Sequence, residues 1–122
     1  MNKMSKLELL EFILESIVLI RRRCGGIKIS DDFLFDDASV DKFEATVMRL
    51  QTIGEALKNI EKRDNSFLLQ VASKEYWSEI IKLRDIISHH YSDIQADIIF
   101  SICKDELDEL EQNIQKLKEI LL

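Results

Sequence analysis

An all-α fold is predicted by three features of this sequence. It has no proline and only three glycines in 122 residues, so helices run uninterrupted and tight β-turns are scarce. Its apolar residues recur three and four positions apart over long stretches, the period of one helix face. Its segments are long and separated by short polar connectors, which makes an antiparallel four-helix bundle with short accessory helical segments. Hydrophobic residues make up 46% and charged residues 33%, a globular rather than disordered balance. The length suits one domain over residues 1–122, burying roughly two-thirds of its unfolded surface without a metal or disulfide staple.

The first helix is expected from about Lys3 to Cys24, with Leu7, Leu10, Leu14, Ile17 and Val18 on one face. Asn2 or Ser5 can cap it, and Gly25-Gly26 stops it. Arg21, Arg22 and Arg23 sit in its last turn, where cations favour the helix dipole. That is their plainer reading; phosphate contact is the other. Ile27 to Asp37 is a connector, a turn or strand-like piece whose Phe33, Leu34 and Phe35 pack over the core. The second helix starts after Asp37 or Ser39 and runs to about Lys62, its stripe being Phe43, Val47, Leu50, Ile53, Leu57 and Ile60. Gly54 within it costs about 1 kcal/mol relative to alanine and suggests close approach of another helix. Asp64 to Ser66 reads as a loop and Phe67 to Ala72 as a short helical turn. The third helix is expected from about Lys74 to His90 with Trp77, Ile80, Ile81 and Ile87 inward. The fourth runs from about Asp93 to Leu122 on Leu107, Leu110, Ile114, Leu117 and Leu121, with an acidic solvated face.

Composition narrows function by exclusion. A net charge of −6 argues against coating nucleic acid through bulk electrostatics, though not against one local RNA site. Cys24 and Cys103 are far apart with no CxxC pattern, and read as buried free thiols of a reducing cytosol. Glu8, Glu11 and Glu15 interrupt any signal-peptide core, and no apolar run approaches the roughly 20 residues of a membrane span. A cytoplasmic protein is expected.

Chemistry concentrates in Leu83-Arg84-Asp85-Ile86-Ile87-Ser88-His89-His90-Tyr91, which holds both histidines and one of the two tyrosines. On an ideal helix Asp85 and His89 share a face, so the carboxylate can orient the imidazole. Arg84 and Tyr91 also share a face, with Ser88 between them. Arg84 and His89 lie about 140° apart at 3.6 residues per turn, so a continuous helix does not aim both at one atom. Either the helix unwinds near His89 or another chain completes the site. Without a family context, an ordinary surface pair (Arg84, Asp85) followed by a polar helix end would be the preferred reading. For a metal site among Asp85, His89 and His90, two ligands four apart are possible, but no third is evident. Trp77 reads as core rather than as a base-stacking platform.

Arg84, His89 and Tyr91 form an Arg-x4-His-x-Tyr run with Asp85 in the polar position after the arginine. Gln51-Thr52-Ile53-Gly54-Glu55-Ala56-Leu57 and Tyr76-Trp77-Ser78-Glu79-Ile80 accompany it. In these segments, their order and its length, the chain resembles the HEPN ribonuclease toxins of the HepT group. The resemblance implies a HEPN-type bundle, a metal-independent endoribonuclease without cofactor, and a homodimer whose two motifs face one cleft. It implies Arg84 and His89 as catalytic residues, Asp85 as their support, and RNA as substrate. It also implies a separate minimal nucleotidyltransferase (MNT) antitoxin that transfers AMP to Tyr91. The chemistry suits these residues. RNA carries its own nucleophile in the 2′-OH, an imidazole moves protons near neutral pH, and a guanidinium matches phosphate oxygens. A non-catalytic HEPN module that binds a nucleotide or protein through Arg84 and Tyr91 is the alternative.

Overall fold

The computed structural model describes residues 4–85 and 93–122. Five α-helices are present among them: α1 (Lys6–Cys24), α2 (Asp37–Arg63), α3 (Lys74–Ile81), α4 (Asp93–Asp105) and α5 (Leu107–Leu121). Short 3₁₀ turns occupy Ser30–Leu34, Leu68–Gln70 and Lys82–Asp85. No strand occurs among the described residues, and the all-α expectation holds. None of the described helices is long and apolar enough to cross a membrane.

Polar side chains set the helix starts. Ser5 accepts from the Glu8 amide at 3.0 Å while the Glu8 carboxylate accepts from the Ser5 amide at 3.0 Å, a reciprocal cap on α1. Asp36 rather than Asp37 or Ser39 caps α2, accepting from the Ser39 amide at 2.8 Å. Ser73 caps α3 through the Tyr76 amide at 3.1 Å. At the end of α1, Gly25 stays right-handed (φ −60°), so the glycine pair ends the helix without a left-handed cap.

Ion pairs mark the helix directions. Lys6 at the start of α1 meets Asp64 just past the end of α2 at 3.1 Å, so the two run antiparallel. Arg21 at the other end of α1 holds Asp108 at 2.5 Å and Glu111 at 2.8 Å near the start of α5. Lys118 late in α5 approaches Glu11 early in α1 at 3.9 Å, so α5 is antiparallel to α1 as well.

The second stripe is buried as expected: Phe43, Val47, Leu50, Ile53, Leu57 and Ile60 all lie in the core. The α1 stripe is rotated from expectation. Leu9, Leu10, Ile13, Ile17 and Ile20 are buried, whereas Val18 is 49% exposed. Helix α1 packs against α2, α4 and α5 together, and its many Leu and Ile residues allow several stripes to be drawn by spacing alone. The connector forms a 3₁₀ turn in which Phe33 alone of its aromatics is buried, its ring tilted 38° against Phe43 at 5.0 Å and edge-on to Phe100 at 6.5 Å. Phe35 is 81% exposed, contrary to the expectation that the whole cluster packs inward.

The expected fourth helix is two. Hydrogen bonds continue through the bend, from the Glu106 amide to Ile102 and from the Leu110 amide to Glu106, but Glu106 leaves α geometry (φ −115°, ψ −18°). The halves have different partners: α4 packs on the Ser30–Leu34 turn and α5 on α1. A straight helix would not lay both apolar faces on those two surfaces.

Candidate functional site

The Arg84-bearing segment is reached through α3, and two side chains hold that helix in place. Trp77 is 1% exposed, and its indole N–H donates to the Leu68 carbonyl at 2.8 Å. Its burial supports the core reading of this residue. Ile81 is also buried, and Leu83 is half-buried against the core.

The α-helix ends at Ile81, and the chain tightens into a 3₁₀ turn over Lys82–Asp85 that packs against α2. The expectation of one continuous helix from Lys74 to His90 therefore fails before the motif is reached. The angular separation of about 140° assumed 3.6 residues per turn. A 3₁₀ turn has about three, so ideal α geometry no longer governs the backbone at Arg84. The Gln51–Leu57 segment lies in α2, with Ile53, Gly54, Ala56 and Leu57 buried and Glu55 exposed. It belongs to the helix that supports the Arg84 turn.

The side chains of Arg84 and Asp85, and the whole of His89, His90 and Tyr91, lie outside the described residues. So does the proposed inward role of Ile87. Among the described residues no group of three His, Cys, Asp or Glu is placed to hold a metal; that statement does not extend to Asp85, His89 and His90.

Beside Leu83 lies a cavity of about 460 Å³ between α3, α4 and α5, with Tyr76, Ile80, Ile98 and Ile102 among its apolar lining. Three carboxylates, Glu79, Glu106 and Glu109, also line it. Burial pushes the Glu106 carboxyl above its ordinary range, and the neighbouring charges of Glu79, Asp105 and Glu109 push it further. Burial likewise pushes the Tyr76 phenol up to about 12, against a hydrogen bond with Asn113 that lowers it and the charges of Glu109 and Glu106 that raise it. This electronegative recess has the wrong sign for an RNA phosphate. Leu83 of the motif turn is part of its lining. Its carboxylates come from α3, α5 and the bend at Glu106, and no sequence spacing marks them as neighbours.

The basic triplet is divided. Arg21 is paired with Asp108, which stays on the solvated face, and with the half-buried Glu111. Arg22 is exposed and Arg23 half-buried. All three arginines stand in the last turn of α1, as the helix-end reading has it, and Arg21 in addition serves the α1–α5 contact.

The ribonuclease HepT-like family matches residues 13–117, a stretch that contains Arg84, Asp85, His89 and Tyr91. A candidate RNase of Caldanaerobacter subterraneus is 32% identical over 108 residues, covering 88% of this chain and 89% of its own. A candidate RNase of Methanocaldococcus jannaschii is 31% identical over 97 residues, 78% of this chain and 74% of its own. A further protein of that organism, named as a gamma-glutamylcyclotransferase and candidate RNase, is 30% identical over 114 residues. The match covers 92% of this chain but only 47% of that protein, about half its length. No solved structure matches the chain. With its helices in the expected order and the family match running from within α1 to within α5, this chain belongs to the HepT-like ribonuclease family.

Proposed function

We propose that the chain is the toxin of a toxin–antitoxin pair and cleaves RNA without a metal, with Arg84 and His89 as its catalytic residues. The observation that carries this reading is the complete Arg-x4-His-x-Tyr run inside the region matched to a ribonuclease family. The substrate's 2′-oxygen loses its proton and bonds to the adjacent phosphorus while the P–O5′ bond breaks, leaving a 2′,3′-cyclic phosphate and a 5′-oxygen that takes up a proton. The protein then has to move protons and stabilise the charge that builds on the phosphate. His89 moves a proton, as acid or base, and Arg84 donates hydrogen bonds to the phosphate oxygens. Asp85 orients His89. Two copies form a dimer whose motifs share a cleft, which supplies a second Arg84 and His89 to one substrate.

Tyr91 is the regulatory residue in this reading. A separate nucleotidyltransferase antitoxin transfers AMP from ATP to its phenol, releasing pyrophosphate, and the new phosphate competes with RNA for Arg84. The acidic charge of the chain, −6, favours one second reading, a HEPN module that binds a nucleotide or protein and cleaves nothing.

The deciding experiment is cleavage of a defined single-stranded RNA in EDTA by the unmodified chain and by His89→Ala. Loss of a general acid or base should slow cleavage by about 10²–10⁴-fold. Cleavage that persists undiminished in the variant removes His89 from the chemistry. Absence of wild-type cleavage across several RNAs, tRNA included, leaves the binding module. Tyr91→Phe should take up no AMP from the antitoxin and ATP, and continued incorporation would move the modified residue elsewhere.

A further inference from the structure

Cys24 and Cys103 stand 79 positions apart in the chain, yet their sulfurs lie 3.2 Å from each other. Cys24 closes α1, and Cys103 sits in the last turn of α4. Thr46 of α2 completes the cluster, its hydroxyl 3.6 Å from the Cys24 sulfur and itself donating to the Lys42 carbonyl at 2.8 Å. Both thiols are free and half-buried. Nothing in the proposed RNA chemistry uses either one.

Two thiols packed only as small apolar groups have no need to approach so closely. The separation is about 1.2 Å longer than a disulfide bond of about 2.05 Å. We propose that Cys24 and Cys103 are a peroxide-responsive modification site, forming an intrachain disulfide that ties the end of α1 to the end of α4. The proposal is independent of the ribonuclease reading.

The electrostatics suit this assignment. The hydrogen bond with Cys103 lowers the Cys24 thiol to about 7 despite the opposing effect of burial, and the charge of Arg23 lowers it further. The same bond, together with burial, pushes Cys103 up. The hydrogen bond between the sulfurs eases loss of the first proton from the pair, and the charge of Arg23 favours Cys24 as the thiolate, the form that attacks peroxide.

The Cys24 sulfur bonds to one peroxide oxygen, the O–O bond breaks, and the departing hydroxide takes a proton to become water. Cys24 is now a sulfenic acid. The Cys103 sulfur then attacks the Cys24 sulfur. The S–S bond forms, the S–O bond breaks, and the leaving hydroxide takes the Cys103 proton to give a second water. The two cysteines lose two electrons together, and one hydrogen peroxide is reduced to two waters.

Closing a loop of this length constrains the unfolded chain and should raise Tm by on the order of 10 °C. It also fixes the far end of α4, the helix that begins two positions after Tyr91.

The test is to treat the reduced full chain at micromolar concentration with hydrogen peroxide, block remaining thiols with N-ethylmaleimide under denaturing conditions, and map peptides without reductant. The expected product has lost two hydrogens, takes no maleimide, and yields one peptide pair joined through Cys24 and Cys103. Its yield should not change on dilution, and dithiothreitol should reverse it. Cys103→Ser should instead accumulate a sulfenic acid at Cys24 that dimedone traps. Links between separate chains, or sulfinic acid as the main product, would overturn the proposal. So would full maleimide uptake after a dose that oxidises a free-cysteine peptide. A linked chain melting at or below the reduced one would show that the bond strains the bundle, and would overturn it equally. The wild-type peptide map decides the matter even where the serine variant folds poorly.

Discussion

Replacing Phe33 by alanine should cost about 3–5 kcal/mol, while the same change at Phe35, two positions on, should stay within about 0.5 kcal/mol. Phe33 is fully buried, its ring 5.0 Å from Phe43 and 6.5 Å from Phe100. Truncating it forfeits about 2–3 kcal/mol of apolar transfer and about 0.5–1.5 kcal/mol of aromatic pairing. A residual cavity between the connector, α2 and α4 adds to that. Against a typical total stability of about 5–15 kcal/mol, the loss is a large fraction. For a chain of this size it corresponds to a Tm lower by roughly 10–20 °C. Phe35 is 81% exposed and has little burial to lose. Urea unfolding followed by far-UV circular dichroism measures both variants, with the slope of the transition expected to stay constant. A Phe33→Ala loss under about 1 kcal/mol, or an equal loss at Phe35, would mean that the connector does not seat on the core through Phe33.

Other consequences can be checked with the same preparation. Trp77→Phe removes the indole donor from the buried Leu68 carbonyl and should cost about 1–3 kcal/mol in urea; an unchanged midpoint would show that the bond does not anchor α3. Glu106 has a folded-state pKa raised above its unfolded one, so its ionised form opposes folding at neutral pH. Glu106→Gln should therefore be the more stable protein at pH 7, with the difference shrinking as pH falls through the raised pKa. A less stable variant at pH 7 would contradict the crowding of Glu106 by Glu79, Asp105 and Glu109. Tyr76 shifts from 10.0 to about 12, so its contribution to stability should be complete below pH 10.0 and fade as pH rises towards 12; a normal phenol in the ultraviolet titration of Tyr91→Phe, where Tyr76 is the one tyrosine left, would refute its burial. Arg21→Gln should cost no more than about 1 kcal/mol, because its ion pairs are partly exposed, and less still in high salt. Its RNA cleavage should match wild type within about twofold, whereas a large fall in RNA affinity at unchanged stability would restore a phosphate role to the triplet.

Helix-forming stretches with a single clear stripe could be read from the residues alone. Helix α2 shows this best: one apolar set at steps of three and four has only one inward face, and all six of its named residues are buried. Leu107, Leu110, Ile114 and Leu117 of α5 behave likewise. The α1 stripe was ambiguous because Leu and Ile occupy too many of its positions, and only its several neighbours choose which ones face inward. The candidate site divides differently. The residue types and spacing of Arg84, Asp85, His89 and Tyr91 are legible as a motif, whereas side-chain geometry depends on backbone that local periodicity does not dictate. The change from α to 3₁₀ geometry at Lys82 illustrates this, because that turn is packed against α2, a distant part of the chain.

Local order, helix type and the motif are properties of neighbouring residues, and the amino-acid sequence carries them openly. Pairings between distant positions depend on how the finished helices lean on one another. Arg21 meets Asp108 and Glu111 only because α1 and α5 run antiparallel. The bend at Glu106 turns two halves of one apolar pattern toward different partners, and packing alone demands it. Cys24 and Cys103 read as unrelated thiols in the sequence. They become a pair at 3.2 Å because the ends of α1 and α4 converge beside Thr46, a convergence that residue spacing does not encode.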